Sequence, residues 1–159
     1  MKNYNLHKSF AKFLALMMEG GQIYICIEVF FRGYSHWSMF ILGGLCFYLI
    51  GCINEIIPWN MPLYQQMAIG MIIITTLEFI TGYIVNIKLG WNVWDYSNMP
   101  LNIMGQICIP FCAAWYFISF VAIVLDDLLR YWLWGEERPH YHLFTKCHEE
   151  VSDNRIFYL

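Results

Sequence analysis

The sequence predicts an all-α integral membrane protein, a four-span transmembrane helix bundle. Three observations predict it. Hydrophobic residues make up 59% of the chain and charged ones only 13%, against about 45–50% and about 25% in soluble domains. So little polar surface cannot cover a globule of 159 residues in water. Aromatic residues reach 19%, a supply that suits the aromatic belts at bilayer interfaces. Finally, four apolar stretches follow one another, each longer than the ~20 residues that cross a ~30 Å hydrocarbon core.

The first span is expected at about residues 9–31. Its basic flank, Lys2, Lys8 and Lys12, is that of a signal peptide, but Glu19, Gln22 and Glu28 interrupt the apolar run and no A-x-A site follows. It therefore reads as a retained helix. The second span covers about residues 36–57 and stops at Pro58; the third covers about 62–86. The fourth is expected at about 102–134, long enough that it must tilt, kink or project beyond the bilayer. Pro110 would supply a kink by freeing the carbonyl of Gln106. A short re-entrant piece followed by a helix is the alternative for this stretch.

Residues 1–134 thus make the bundle, and 135–159 a polar tail. With four spans, Lys2, Lys8, Lys12, Arg130, Arg138, Lys146 and Arg155 share the side of both termini, and only Arg32 and Lys88 lie opposite. The excess of positive charge predicts a multi-pass protein of the cell membrane with both termini in the cytoplasm.

Several chemistries find no support. The net charge is -3, and no basic stripe points to nucleic acid. Five of the six cysteines lie in apolar runs and none forms a CxxC pair, so neither a disulfide framework nor a zinc site is expected. His140, His142, Cys147 and His148 gather in the tail at a spacing that matches no standard metal site. Phosphate-loop, nucleophile-elbow and H-E-x-x-H motifs are missing from the sequence. No cofactor, metal or catalytic residue is predicted. The expected partners are the lipid bilayer, further copies of the chain and a membrane-protein partner.

Helical spacing sorts the polar residues onto faces. Tyr24, Glu28 and Arg32 stand at i, i+4 and i+8, so Glu28 and Arg32 can pair along the first span. Gly44, Tyr48, Gly51 and Glu55 form a stripe on the second, a candidate helix seam. Thr75, Glu78, Gly82 and Asn86 form another on the third. With cytoplasmic termini, Glu28, Arg32, Glu78, Asn86, Asp95, Asn102 and Gln106 all fall toward the outer end, and these seven are the candidate ligand- or ion-binding residues. Ionisable groups in a membrane segment are costly and mark functional sites by default.

The residues Glu78-Phe79-Ile80-Thr81-Gly82, then Trp94-Asp95-Tyr96-Ser97, then Asn102 and Gly105, carry a resemblance. The chain resembles small bacterial membrane proteins grouped as ABC-transporter permeases of the CmpB type. Small eukaryotic transmembrane proteins share the E-F-x-T-G and W-D-Y-S signature. The resemblance reaches upstream to Glu28, Gly33, Trp37 and Gly43 and covers roughly residues 20–120. It implies transport. The connection at 58–61 is too short for a helix that couples to an ATPase.

The expected function is that of a transporter or channel with an outer-leaflet site of intramembrane carboxylates for a small cation or polar solute. Glu28 and Glu78 would bind the ligand or a proton, Arg32 would be the counter-charge and Asp95 would organise the loop. Buried carboxylates exchange protons near neutral pH, so the mechanism would be protonation-linked. Two alternatives stand beside it. One is a membrane-embedded enzyme acting on a lipid or isoprenoid, with Glu78 and Asp95 as acid and base. The other is a non-transporting accessory or scaffold protein.

Overall fold

The computed structural model describes residues 2–57, 61–142 and 156–158, with side-chain detail for 9–57 and 61–142. Four long helices dominate: α1 (Lys2–Arg32), α2 (Trp37–Gly51), α4 (Leu63–Gly82) and α5 (Ile109–Trp134). A four-residue turn of helix, α3 (Ile53–Ile56), extends α2 beyond Cys52, and α4 runs on into a π-helical end at Tyr83–Lys88. The apolar spans are Ser9–Arg32, Trp37–Ile56, Leu63–Lys88 and Ile109–Trp134. In an apolar 18-residue stretch of the first, third and fourth, only 22%, 28% and 22% of residues are buried within the chain, so their apolar residues clothe the outside instead of filling a core. Phe30, Phe31, Phe117 and Trp132 are among the large side chains that point outward. Such an exterior suits lipid and not water. The protein is an all-α, multi-pass membrane protein.

The second span is the central one, half buried, with α1, α4 and α5 all packed against it. Glycines let the backbones come close. A Cβ on Gly43 would strike Tyr24, one on Gly44 would strike the Met17 carbonyl, and one on Gly51 would strike the Asp126 carboxylate. The expected stripe from Gly44 to Glu55 is therefore divided between two neighbours, α1 at its start and α5 at its end. The stripe on α4 stays whole. Thr75 meets Cys112, Glu78 meets Trp115, and Gly82 admits Gln106 and Trp94.

The fourth span departs from expectation. It begins at Ile109 and not near residue 102, because residues 102–108 form a small antiparallel hairpin, β1 (Asn102–Ile103) with β2 (Ile107–Cys108). Leu101, Met104 and Gly105 adopt positive φ in its approach and turn, which no helix allows. Pro110 then sits in the first turn of α5, where its missing N–H costs nothing, and it makes no kink. The tail is also more structured than a free extension. Gly135 caps α5 in the left-handed conformation, and β3 (His140–His142) pairs with β4 (Ile156–Tyr158). Cys147 and His148 of the tail cluster lie outside the described residues.

Candidate functional site

Polar side chains gather at the end of the bundle that carries the 89–108 loop. At its centre is Glu78, 1% exposed. One of its oxygens accepts a hydrogen bond from the Trp115 indole N–H at 2.8 Å and the other from the Tyr96 hydroxyl at 3.0 Å. Asn102 and Gln106 stand with Glu78 among the outer-end candidates, but the partners of this carboxylate are Trp115 and Tyr96. The reason is the late start of α5, which puts Trp115 at the level of Glu78 and leaves Asn102 and Gln106 in the hairpin. Burial, with the Glu78 charge beside it, pushes the Tyr96 phenol well above its ordinary value, so it remains a donor.

Glu28 and Arg32 pair along α1 at 2.7 Å, as their i, i+4 spacing suggests. Glu28 is buried and also accepts from the Ser35 hydroxyl. The guanidinium reaches over to the loop, donating to the Val93 carbonyl at 2.6 Å and to the Tyr34 hydroxyl at 3.2 Å. Glu28 and Glu78 are near enough to interact electrostatically, and the Tyr24 phenol feels both.

The other four candidates build the loop that covers this end. Asn86, in the π-helical segment, accepts from the Val93 N–H at 2.7 Å and donates to the Gln106 side chain at 2.8 Å. Gln106 also donates to the Met104 carbonyl, and its own carbonyl accepts from the Trp94 indole. Asn102 donates to the Ser97 and Met99 carbonyls and accepts from the Gly105 N–H. Asp95 accepts from both the backbone N–H and the hydroxyl of Ser97, which hold its carboxyl below the usual aspartate range. Asp95 is exposed and committed to this turn, while both oxygens of Glu78 are taken by aromatic donors. The structure does not bring the two together as an acid–base pair.

Between α1 and α5, floored by α2 and roofed by the loop, lies a cavity of about 720 Å³. That is within the range of small-molecule sites. Along α1 it runs from Gly20 to Arg32, about 18 Å at 1.5 Å per residue. Glu28, Arg32 and Asp95 supply its charge, and Tyr24, Tyr96 and Trp115 line it. Because Tyr96 and Trp115 are wall residues and also hold Glu78, that carboxylate sits directly behind the wall. Helical spacing puts Tyr24 on the face of Glu28 and Arg32, but it does not single out Trp115; Tyr96 stands in the W-D-Y-S element, but nothing in its spacing ties it to Glu78.

A second polar cluster occupies the opposite, tail end. Asp126 is fully buried and accepts from Arg130, which also lies 3.6 Å from Glu55 and 3.9 Å from Glu136. Asp127 accepts from Asn54 at 2.6 Å and from the Tyr141 hydroxyl at 2.7 Å. Lys12 closes the ring by pairing with Glu136. Burial and the neighbouring Asp127 push the Tyr141 phenol far up, so it too stays a donor. This network ties the tail strand to α5, α3 and α1. Its sequence signal is Asp126 and Arg130 at i, i+4 inside an apolar helix.

Among the described residues, no group of three or more His, Cys, Asp or Glu is arranged to hold a metal ion. The fold and these two clusters define a polytopic membrane protein with a polar site at one end and an ion-paired clasp at the other. The model of the family described as "Putative ABC-transporter type IV", the CmpB type, matches residues 12–137, and the chain belongs to that family. No solved structure matches the chain.

Proposed function

We propose that the protein is a membrane transport protein that takes its solute into the cavity between α1 and α5. The observation that carries this reading is the juxtaposition of an open, ligand-sized cavity with two intramembrane carboxylates, Glu28 and Glu78, at one end of a four-span bundle. Membership of a family whose description names ABC transporters supports transport as the class. In this reading the loop end faces outward, both termini lie in the cytoplasm, and the membrane is the cell membrane. Glu28 and Glu78 attract the solute, Arg32 ties α1 to the loop at Val93, and Asp95 and Asn102 keep the loop in shape. The sequence has no phosphate-binding loop, so any ATP-driven cycle draws on residues outside this chain.

Reconstitution into proteoliposomes tests the proposal. Vesicles carrying the protein should take up solute faster than empty ones, and Glu78→Gln should lower that uptake by at least about tenfold, as loss of a charge contact in a low-dielectric site does. Wild-type uptake equal to that of empty vesicles, across inorganic and organic cations, would remove the transport reading.

A further inference from the structure

We infer that the solute is a lipophilic organic cation: an amine, quaternary ammonium or phosphonium centre carried on an apolar body. This rests on the cavity being the protein's ligand site, as proposed above.

Charge comes first. Glu28, Asp95 and, behind the wall, Glu78 face a single guanidinium. Arg32 is paired with Glu28, and two more of its five N–H donors go to the Val93 carbonyl and the Tyr34 hydroxyl. Its charge is already matched within the chain by Glu28. Among the charged groups in the lining or directly behind the wall, carboxylates outnumber guanidinium groups three to one.

The wall decides what kind of cation. Tyr24, Trp115, Phe111 and Tyr96 form a continuous aromatic ladder along it. The ring centroids are 6.3 Å apart from Tyr24 to Trp115, 6.1 Å from Trp115 to Phe111 and 4.6 Å from Phe111 to Tyr96. Aromatic faces hold organic cations through the ring quadrupole, most strongly where water is excluded. Two rungs of this ladder, Trp115 and Tyr96, donate their N–H and O–H to Glu78. Donation to a carboxylate polarises the rings toward negative faces, so the charge of Glu78 is relayed to the wall without the carboxylate entering the cavity. Apart from Tyr34 and Asn92 near the loop, the rest of the lining, including Ile23, Ile27, Phe47 and Ile118, is largely apolar. A metal ion would have to shed its water there and find no cluster of ligands among the described residues. A quaternary ammonium or phosphonium centre is only weakly hydrated, an amine on an apolar body sheds far less water than a metal ion, and each has an apolar body to bury.

The test compares two ions of matched size and shape and opposite charge, tetraphenylphosphonium and tetraphenylborate. Binding to the purified full-length protein in detergent is measured, counting only the fraction displaced by excess unlabelled ion. The cation should bind at least about tenfold more tightly than the anion. Glu78→Gln and Glu28→Gln should each weaken cation binding about tenfold, while Glu19→Gln, on the outward face of α1, should leave it unchanged. Equal or tighter binding of the anion overturns the inference, and so does displaceable binding of neither ion. If Glu78→Gln fails to fold, the comparison of the two ions on the unaltered protein still decides. Cation binding without flux in proteoliposomes upholds the inference and removes transport; flux of another solute without cation binding does the reverse.

Discussion

Glu28 and Arg32 show what one pair of side chains does in an apolar bundle. Glu28 is 7% exposed, and its neutralising partner sits one helical turn away. Taking a carboxylate out of water is costly, and removing its partner leaves that cost uncompensated. Arg32→Ala should therefore destabilise the protein by about 3 kcal/mol. Arg32→Ala combined with Glu28→Gln should cost less than the single change, because the orphaned charge is gone. Unfolding in mixed micelles measures both, and losses that simply add would mean that the pair is not coupled. This pairing was legible from spacing alone, since i and i+4 meet on any helix. The partners of Glu78 were not. Trp115 is far from it in sequence, and which turn of α5 lies opposite depends on where that helix starts.

At the scale of elements, the loop from 89 to 108 is the part that helical periodicity could not reach. A span from about residue 102 fits the hydropathy, yet the chain instead spends seven residues (102–108) on a hairpin and its turn. Local polar chemistry outweighs apolar character there: Asn102 bonds three backbone groups, and Gly105 has φ +68° with Asp95 and Ser97 packed over its Cα. Any β-carbon at Gly105 meets both a backbone penalty and the Asp95 carboxylate 2.6 Å away. Gly105→Ala should loosen the loop and expose Trp94, seen as a red shift and faster quenching of its fluorescence. Asp95 makes the same loop sensitive to acid. Its carboxyl is held below the ordinary range by the Ser97 hydroxyl and N–H, so the folded loop favours the ionised form. Its contribution is intact above the ordinary aspartate pKa and is lost as pH falls through the depressed folded value. Hydrogen exchange at Ser97 should therefore quicken on acidification relative to other amides, and Asp95→Asn should abolish that difference.

For the whole molecule, composition and hydropathy made the fold class legible, because four apolar stretches with so few charges leave little else to build. The order of the spans also places seven polar residues at one end; what it leaves open is which of them bond to one another. Glu28, Glu78 and the loop share one end; Asp126, Asp127 and Arg130, joined by Lys12, Glu55 and Tyr141, share the other. The charge of the connecting segments bears on which side each end faces. Among the described residues, Arg32 and Lys88 are the lysines and arginines at the loop end; Arg32 pairs with Glu28, and the exposed Lys88 lies over the Tyr83 ring. The tail end carries Lys12, Arg130 and Arg138 in the described part of the chain and further lysines and arginines in the sequence. Such a bias favours retention of the tail end in the cytoplasm. Single cysteines placed at Gly90 and Asn92, both exposed in the loop, should react with a membrane-impermeant maleimide on intact cells. One placed at Glu137, exposed beyond the α5 cap, should react only after the membrane is opened. The reverse pattern would turn the cavity toward the cytoplasm, so that its solute enters from the other face.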